Sequence, residues 1–145
     1  MSAVVIDTNI TLDLFVFQDP AIAPLRDALE HESLDWLATD AMREELARVL
    51  GYPQIARRRV ATAMSEDQVL AAFDRRVRIV PVAAKAPFTC KDPDDQKFID
   101  LAAAHSAALV SKDAAVLCMA RRLERVGVRV CRTWLSETVL AVAPL

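Results

Sequence analysis

Short β-branched runs alternate with longer stretches of helical period along the chain, and this alternation limits the fold more than any other feature. The runs are Val4-Val5-Ile6, Leu34–Ala38, 77–82, Ala108–Val110 and 128–131. Helical spacing covers about 20–32, 41–50, 55–75 in one or two pieces, 94–106 and 114–125, with a short helix expected near 135–142. Strands separated by helices cannot be joined by tight hairpins, so they pair in parallel and need helices over both sheet faces. The expectation is an α/β fold in a single domain, residues 1–145. A chain of this size buries about 68–70% of the surface its unfolded form exposes. In open parallel sheets, ligands bind beyond the carboxyl ends of the strands, where the strand order reverses.

Glycine narrows what such a site can be. Only Gly51 and Gly127 occur, where average usage of about 7% gives roughly ten. The dinucleotide fingerprint and the Walker-type loop each need several glycines in one turn, so both are excluded. Any phosphate must therefore be handled by side chains or metal ions. Hydrophobic residues at 54% and charged residues at 26% fit a folded globular chain rather than a disordered one. Eighteen Lys plus Arg against twenty Asp plus Glu leave a net charge of −2, without the chain-wide basic field of many nucleic-acid binders. Cys90, Cys118 and Cys131 match neither a disulfide framework nor a zinc spacing, so reduced thiols are expected. The start has no basic segment and reaches an acid at Asp7. No apolar run approaches the roughly 18 residues of a membrane span, so no membrane association and a cytoplasmic location are expected.

Helix starts carry explicit signals. Asp19-Pro20 and Asp92-Pro93 place an acid at N-cap before proline, Ser65 with Gln68 forms a capping box, and Asp40 and Asp113 are placed to cap the helices they precede. Two strands lead quickly into an aspartate. Asp7 follows Val4-Val5-Ile6 directly, and Asp113 follows Leu109-Val110-Ser111-Lys112. Taken alone, each reads as a helix cap.

The other acids are placed by helical geometry. In the helix beginning near Asp40, the core stripe is Met42, Leu46, Val49 and Leu50. Glu44 points away from it while Glu45 lies on its flank, serving either a site or the helix dipole. In Asp92-Pro93-Asp94-Asp95-Gln96-Lys97-Phe98-Ile99, the positions three, four and seven residues before Phe98, Ile99 and Ala102 coincide at Asp95. An acid thus sits on the apolar face of a first turn, which is unfavourable unless it is paired or bound to a cation. Asp92 reads as the cap, Asp94 as intermediate and Asp100 as solvent-facing. Asp7, Glu45, Asp95 and Asp113 then converge on one sheet edge. One or two Mg²⁺ or Mn²⁺ ions make such a cluster favourable and suit it to phosphodiester cleavage.

Val4-Val5-Ile6-Asp7-Thr8-Asn9, Glu45-Leu46 six residues after Thr39, Asp92-Pro93-Asp94-Asp95 before Lys97-Phe98, and Leu109-Val110-Ser111-Lys112-Asp113 together resemble the PIN domain family. These are metal-dependent nucleases that include many toxins of bacterial toxin–antitoxin pairs. The resemblance runs from residue 4 to about 135. It implies a three-layer α/β/α domain with a five-stranded parallel sheet in order 3-2-1-4-5 and endoribonuclease activity with Mg²⁺ or Mn²⁺. By position, Asp7, Glu45, Asp95 and Asp113 are the implied catalytic and metal-holding acids. Thr8, Asn9, Asp92 and Ser111 are the implied supporting groups. RNA as substrate, an antitoxin protein and a homodimer are the expected partners. Many members carry a further acid two residues beyond the position of Asp113, where this chain has Ala115.

Arg57-Arg58-Arg59 is the favoured candidate for RNA phosphates over Arg75-Arg76-Val77-Arg78 and Arg121-Arg122 with Arg125, the other reading being a solvated helix face. His105 falls seven residues after Phe98 and reads as core-lining. Trp36, Trp134 and the apolar stretch 139–145 fit either packing or a dimer or antitoxin contact. Two rival functions follow. Asp7-Thr8-Asn9-Ile10-Thr11 partly resembles the nucleophile motif of haloacid-dehalogenase-type phosphatases, whose second acid is replaced here by Asn9. A degenerate PIN-like module that binds RNA or protein without cleavage is the other, motivated by Ala115.

Overall fold

The computed structural model describes residues 2–31 and 33–134. Five strands, β1 (Ser2–Ile6), β2 (Leu34–Ala38), β3 (Val77–Ile79), β4 (Ala108–Val110) and β5 (Val130–Cys131), form one sheet in order β3-β2-β1-β4-β5. All four pairings are parallel, with Val4 opposite Trp36 on one side and Ala108 on the other. The helices are α1 (Thr8–Leu12), α2 (Ala23–Glu30), α3 (Asp40–Leu50), α4 (Pro53–Ala61), α5 (Glu66–Arg76), α6 (Gln96–His105), α7 (Ala114–Leu117) and α8 (Ala120–Glu124). Successive residues of a strand face opposite sides, yet Val4, Val5 and Ile6 are all buried, so both faces of the central strand are covered. The order reverses between β1 and β4, which puts the carboxyl ends of those two strands at the switch point.

The apolar pattern explains the packing. α6 buries Phe98, Ile99, Leu101 and Ala102 and packs on β1 and β4. α3 buries Met42, Leu46 and Leu50, while Val49 is half-buried. Trp36 is core: it stacks on Phe15 at 6.1 Å between ring centroids and meets Phe73 edge-on at 5.3 Å. Trp134 is buried as well. The expected caps at Asp19, Asp92, Asp113 and the Ser65/Gln68 box are all present.

Several boundaries differ from expectation for physical reasons. The apolar run 77–82 is a strand only to Ile79: Val80 N–H still reaches Ala38 O at 2.9 Å, but the partner strand β2 ends there, where Thr39 caps α3, and Val82 is exposed. The fifth strand is limited to its last two residues. The stretch 55–75 is two helices, and 114–125 divides at Cys118 and Met119 into α7 and α8. Asp40 does not cap α3. Thr39 does, its hydroxyl accepting from Met42 N. His105 is exposed rather than core-lining. Unanticipated from periodicity, α1 runs directly into a π-helical turn, Asp13–Phe17, which ends at Gln18 in the left-handed region at φ 51°. The helix expected near 135–142 and the apolar stretch 139–145 lie outside the described residues.

Candidate functional site

Asp7 leaves β1 at the switch point. Its N–H donates to Val110 O at 3.0 Å, carrying the β1–β4 pairing one residue further and setting Asp7 beside the end of β4. Its carbonyl receives Ile10 and Thr11 N–H, but its side chain does not cap α1. The cap reading of this carboxylate therefore fails. The side chain, only 4% exposed, instead accepts a 2.6 Å hydrogen bond at Oδ2 from Ser111 Oγ. Ser111 is fully buried, and its Oγ also accepts Asp113 N–H at 3.1 Å. Asp113 spends Oδ1 on capping α7 through Ala115 N–H at 2.9 Å.

A second group arrives from the start of α6. Asp92 caps the tight turn Pro93–Asp95 through Asp94 N–H. Asp95 ends that turn and is buried as its spacing from Phe98, Ile99 and Ala102 predicts. One carboxylate oxygen each from Asp92, Asp95 and Asp113 fall within 4.8 Å of one another. Asp95 Oδ2 is buried with no hydrogen-bond partner. The Asp95 carboxyl is pushed up to about 8, first by burial, then by a hydrogen bond to Asp113 and by the charges of Asp7, Asp113 and Asp92. Two carboxyl groups in such contact must share a proton or a cation. Burial also raises Asp7, opposed by the Ser111 hydroxyl and the Thr8 backbone, with the Glu45 and Asp113 charges adding to the rise.

Glu45 comes from α3 and is held rather than free. Its Oε2 accepts from Thr8 Oγ1 at 2.7 Å, and its Oε1 lies 3.3 Å from Lys97 Nζ. Of the expected supporting groups, Thr8 donates to Glu45 and Ser111 to Asp7, Asp92 caps its own turn through Asp94 N–H, and Asn9 is exposed. Asp94 is exposed too. Asp100, expected to face solvent, is half-buried and accepts from Ala86 N–H and Gln96 Nε2, each at 2.8 Å.

Sequence reasoning missed two lysines and an acid here. Lys97 stood in a motif without a role. Asp13, buried in the π-helical turn, pairs with Lys112 at 2.7 Å. The signal for Asp13 was an acid inside the apolar stretch from Ile10 to Val16, the same signal that marked Asp95. The arginine run divides. Arg59 donates to Leu50 O and Met64 O at 3.2 Å each and to Glu66 at 3.3 Å, and Arg58 lies 5.7 Å over the Phe17 ring. Arg59 is thus a structural clasp between α3, α4 and α5. Arg59→Ala is expected to cost about 1–3 kcal/mol, the range for leaving buried polar groups unpaired, measured by urea unfolding. An unchanged midpoint would remove that role.

A cavity of about 400 Å³ opens around the first residues of β2 and β3, among Glu30, Asp35, Arg75, Arg76 and Arg78. Arg78 there already pairs with Asp35 at 2.7 Å. The acids lie at the other end of the strands, where three hard oxygen donors and an orphaned buried oxygen fit Mg²⁺ or Mn²⁺. No helix among the described residues is long and apolar enough to cross a membrane.

No curated protein matches the sequence. Compared with known families, residues 3–115 match the PIN domain, a span that takes in all of Asp7, Glu45, Asp92, Asp95 and Asp113. With the 3-2-1-4-5 parallel sheet and its carboxylates at the switch point, this chain belongs to the PIN domain family, to which nuclease-type function attaches.

Proposed function

We propose that this chain is an endoribonuclease that hydrolyses RNA phosphodiester bonds with Mg²⁺ or Mn²⁺ held by Asp92, Asp95 and Asp113 beside Asp7, and that it serves as the toxin of a toxin–antitoxin pair. The observation that carries the reading is the orphaned Oδ2 of buried Asp95 among three other carboxylates. Keeping four acids together without a cation forces protonation, and a divalent ion removes that cost. Bound there, the ion supplies Lewis acidity and a lowered pKa for its water. The chain's own groups do the rest. Ser111 fixes one Asp7 oxygen, and burial raises the Asp7 carboxyl above the ordinary range, which suits it to take a proton from an attacking water. Thr8 and Lys97 orient Glu45.

The test is labelled RNA incubated with the purified chain. Cleavage is expected with Mn²⁺ or Mg²⁺ and none in EDTA. Cleavage that persists in EDTA would refute metal dependence, and RNA binding without cleavage under any ion would favour the degenerate module. The toxin role adds growth arrest on expression, relieved by a co-expressed antitoxin protein. Normal growth beside an active enzyme would overturn it.

A further inference from the structure

The proposed reaction uses none of the three cysteines, yet two of them meet beside the carboxylates. Cys90 Sγ donates to Ala115 O at 3.4 Å, and Cys118 Sγ donates to the same oxygen at 3.3 Å. The two sulfur atoms can therefore be no farther apart than those two bonds laid end to end. Cys90 stands two residues before Asp92, and Ala115 is the residue whose N–H Asp113 Oδ1 caps at 2.9 Å. The two thiols differ in surroundings. Cys118 is exposed where α7 gives way to α8, while Cys90 is 5% exposed. The Cys90 backbone is also pinned, since its N–H donates to Gln96 Oε1 at 2.7 Å and Gln96 Nε2 donates to Phe88 O and Asp100. Cys131, the third thiol, turns instead to Arg129 O at 3.9 Å. One thiol is thus open to solvent, and its neighbour is buried in a fixed place.

We propose that Cys118 and Cys90 form a peroxide-sensitive thiol pair, whose disulfide joins α7 to the segment before Asp92 and loosens the cluster's hold on a divalent ion. The second half rests on the reading of Asp92, Asp95 and Asp113 as a cation site; the first does not. The order of steps follows exposure. Hydrogen peroxide reaches the Cys118 thiol, the sulfur bonds to one peroxide oxygen, the O–O bond breaks, and a sulfenic acid and water result. The Cys90 sulfur then attacks the sulfenic sulfur, the S–O bond breaks, and the hydroxyl leaves as water with the Cys90 proton. Two thiols give up two electrons in all, and one peroxide takes them. The disulfide has no S–H, so Ala115 O loses both donors, and the sulfurs must close to about 2 Å. Cys118, the less constrained partner, makes the larger move. It ends α7, a helix of only four residues whose other end is capped by Asp113. A shift at Cys118 therefore reaches the Asp113 carboxylate.

Peroxide treatment of the full, metal-free chain, followed by tryptic mass mapping without reduction, tests the pairing. Peptides 86–91 and 113–121 are expected as one cross-linked species, two hydrogens lighter than the separate pair, which reduction parts again. Cys118→Ser and Cys90→Ala each remove that species, and Cys131→Ser does not. Cys118 is exposed, so Cys118→Ser keeps the test valid should the buried Cys90→Ala fail to fold. Mn²⁺ titration, read by the electron paramagnetic resonance signal of the free ion, then tests the consequence. The oxidised wild type is expected to bind Mn²⁺ about 10–100-fold more weakly than the reduced chain, the range for disturbing groups behind metal ligands. Reductant restores the affinity, and peroxide-treated Cys118→Ser never loses it. Cross-links through Cys131 or between chains, or no cross-link, overturn the thiol pair. A Cys90–Cys118 disulfide with unchanged Mn²⁺ affinity overturns its control of the site. No Mn²⁺ binding by the reduced chain overturns the metal centre and that control with it, while the cross-link stands or falls on mass alone.

Discussion

Asp95→Asn is expected to reduce RNA cleavage by roughly 10³-fold or more while making the ion-free protein more stable at pH 8. The first effect follows from the loss of a ligand oxygen at the point where the cluster has one to spare. A divalent ion on a phosphoryl oxygen contributes several kcal/mol to the transition state, and about 4 kcal/mol is a thousandfold in rate. The second effect has the opposite sign because Asp95 is costly to the fold. Its carboxyl is raised from 3.8 to about 8, so between those values the folded chain holds a proton that the unfolded chain releases. Stability is therefore complete near pH 4 and falls as pH rises through that window. Asparagine keeps the shape, carries no charge and can donate to Asp113, which removes the slope. Urea unfolding in EDTA should show Asp95→Asn above wild type by about 1–3 kcal/mol at pH 8, the scale of an unpaired buried polar group. The gap should narrow towards pH 5. Cleavage within tenfold of wild type, or a variant less stable at both pH values, would sink this account of Asp95.

That contrast between function and stability also explains which parts of the molecule were legible beforehand. Strands of a parallel sheet are covered on both faces, so Val4-Val5-Ile6 reads as a continuous apolar run, and the site at the switch point follows from topology. Asp95 was legible because an acid on an apolar helix face violates local pattern. The strand end at Ile79 was not, since Val80 and Val82 continue the same apolar chemistry while their partner strand β2 ends at Ala38. The π-helical turn at Asp13–Phe17 was hidden because its wider period leaves no signature in a pattern read at 3.6 residues per turn. Lys97 with Glu45, and Lys112 with Asp13, join residues far apart in the chain, so their pairing exists only once the sheet brings the elements together. Arg59 and Arg57 looked alike for the same reason. Only the packing of α4 against α3 and α5 makes one a clasp and leaves the other exposed.

Mn²⁺ should raise the melting temperature strongly at pH 8 and weakly at pH 6. At an ion concentration one hundred times the dissociation constant, binding to the folded state alone stabilises it by about 2.7 kcal/mol. At roughly 2–4 °C per kcal/mol for a chain of this size, the rise is roughly 5–11 °C. The pH dependence comes from competition. The carboxyl of Asp95, at about 8 because of burial and its contact with Asp113, holds a proton below that pH which an ion must displace. Each pH unit below the raised value weakens binding by up to about tenfold for one displaced proton. Two units lower, the same ion concentration therefore stands near the dissociation constant and the rise shrinks to about 1–2 °C. Proton and cation thus serve the same need at different pH, keeping Asp95, Asp113 and Asp92 together. Asp95→Asn should abolish most of the Mn²⁺ response. A melting shift equal at both pH values would show that the ion binds somewhere other than this carboxyl group. A shift larger at pH 6 would reverse the sign of the coupling and refute it.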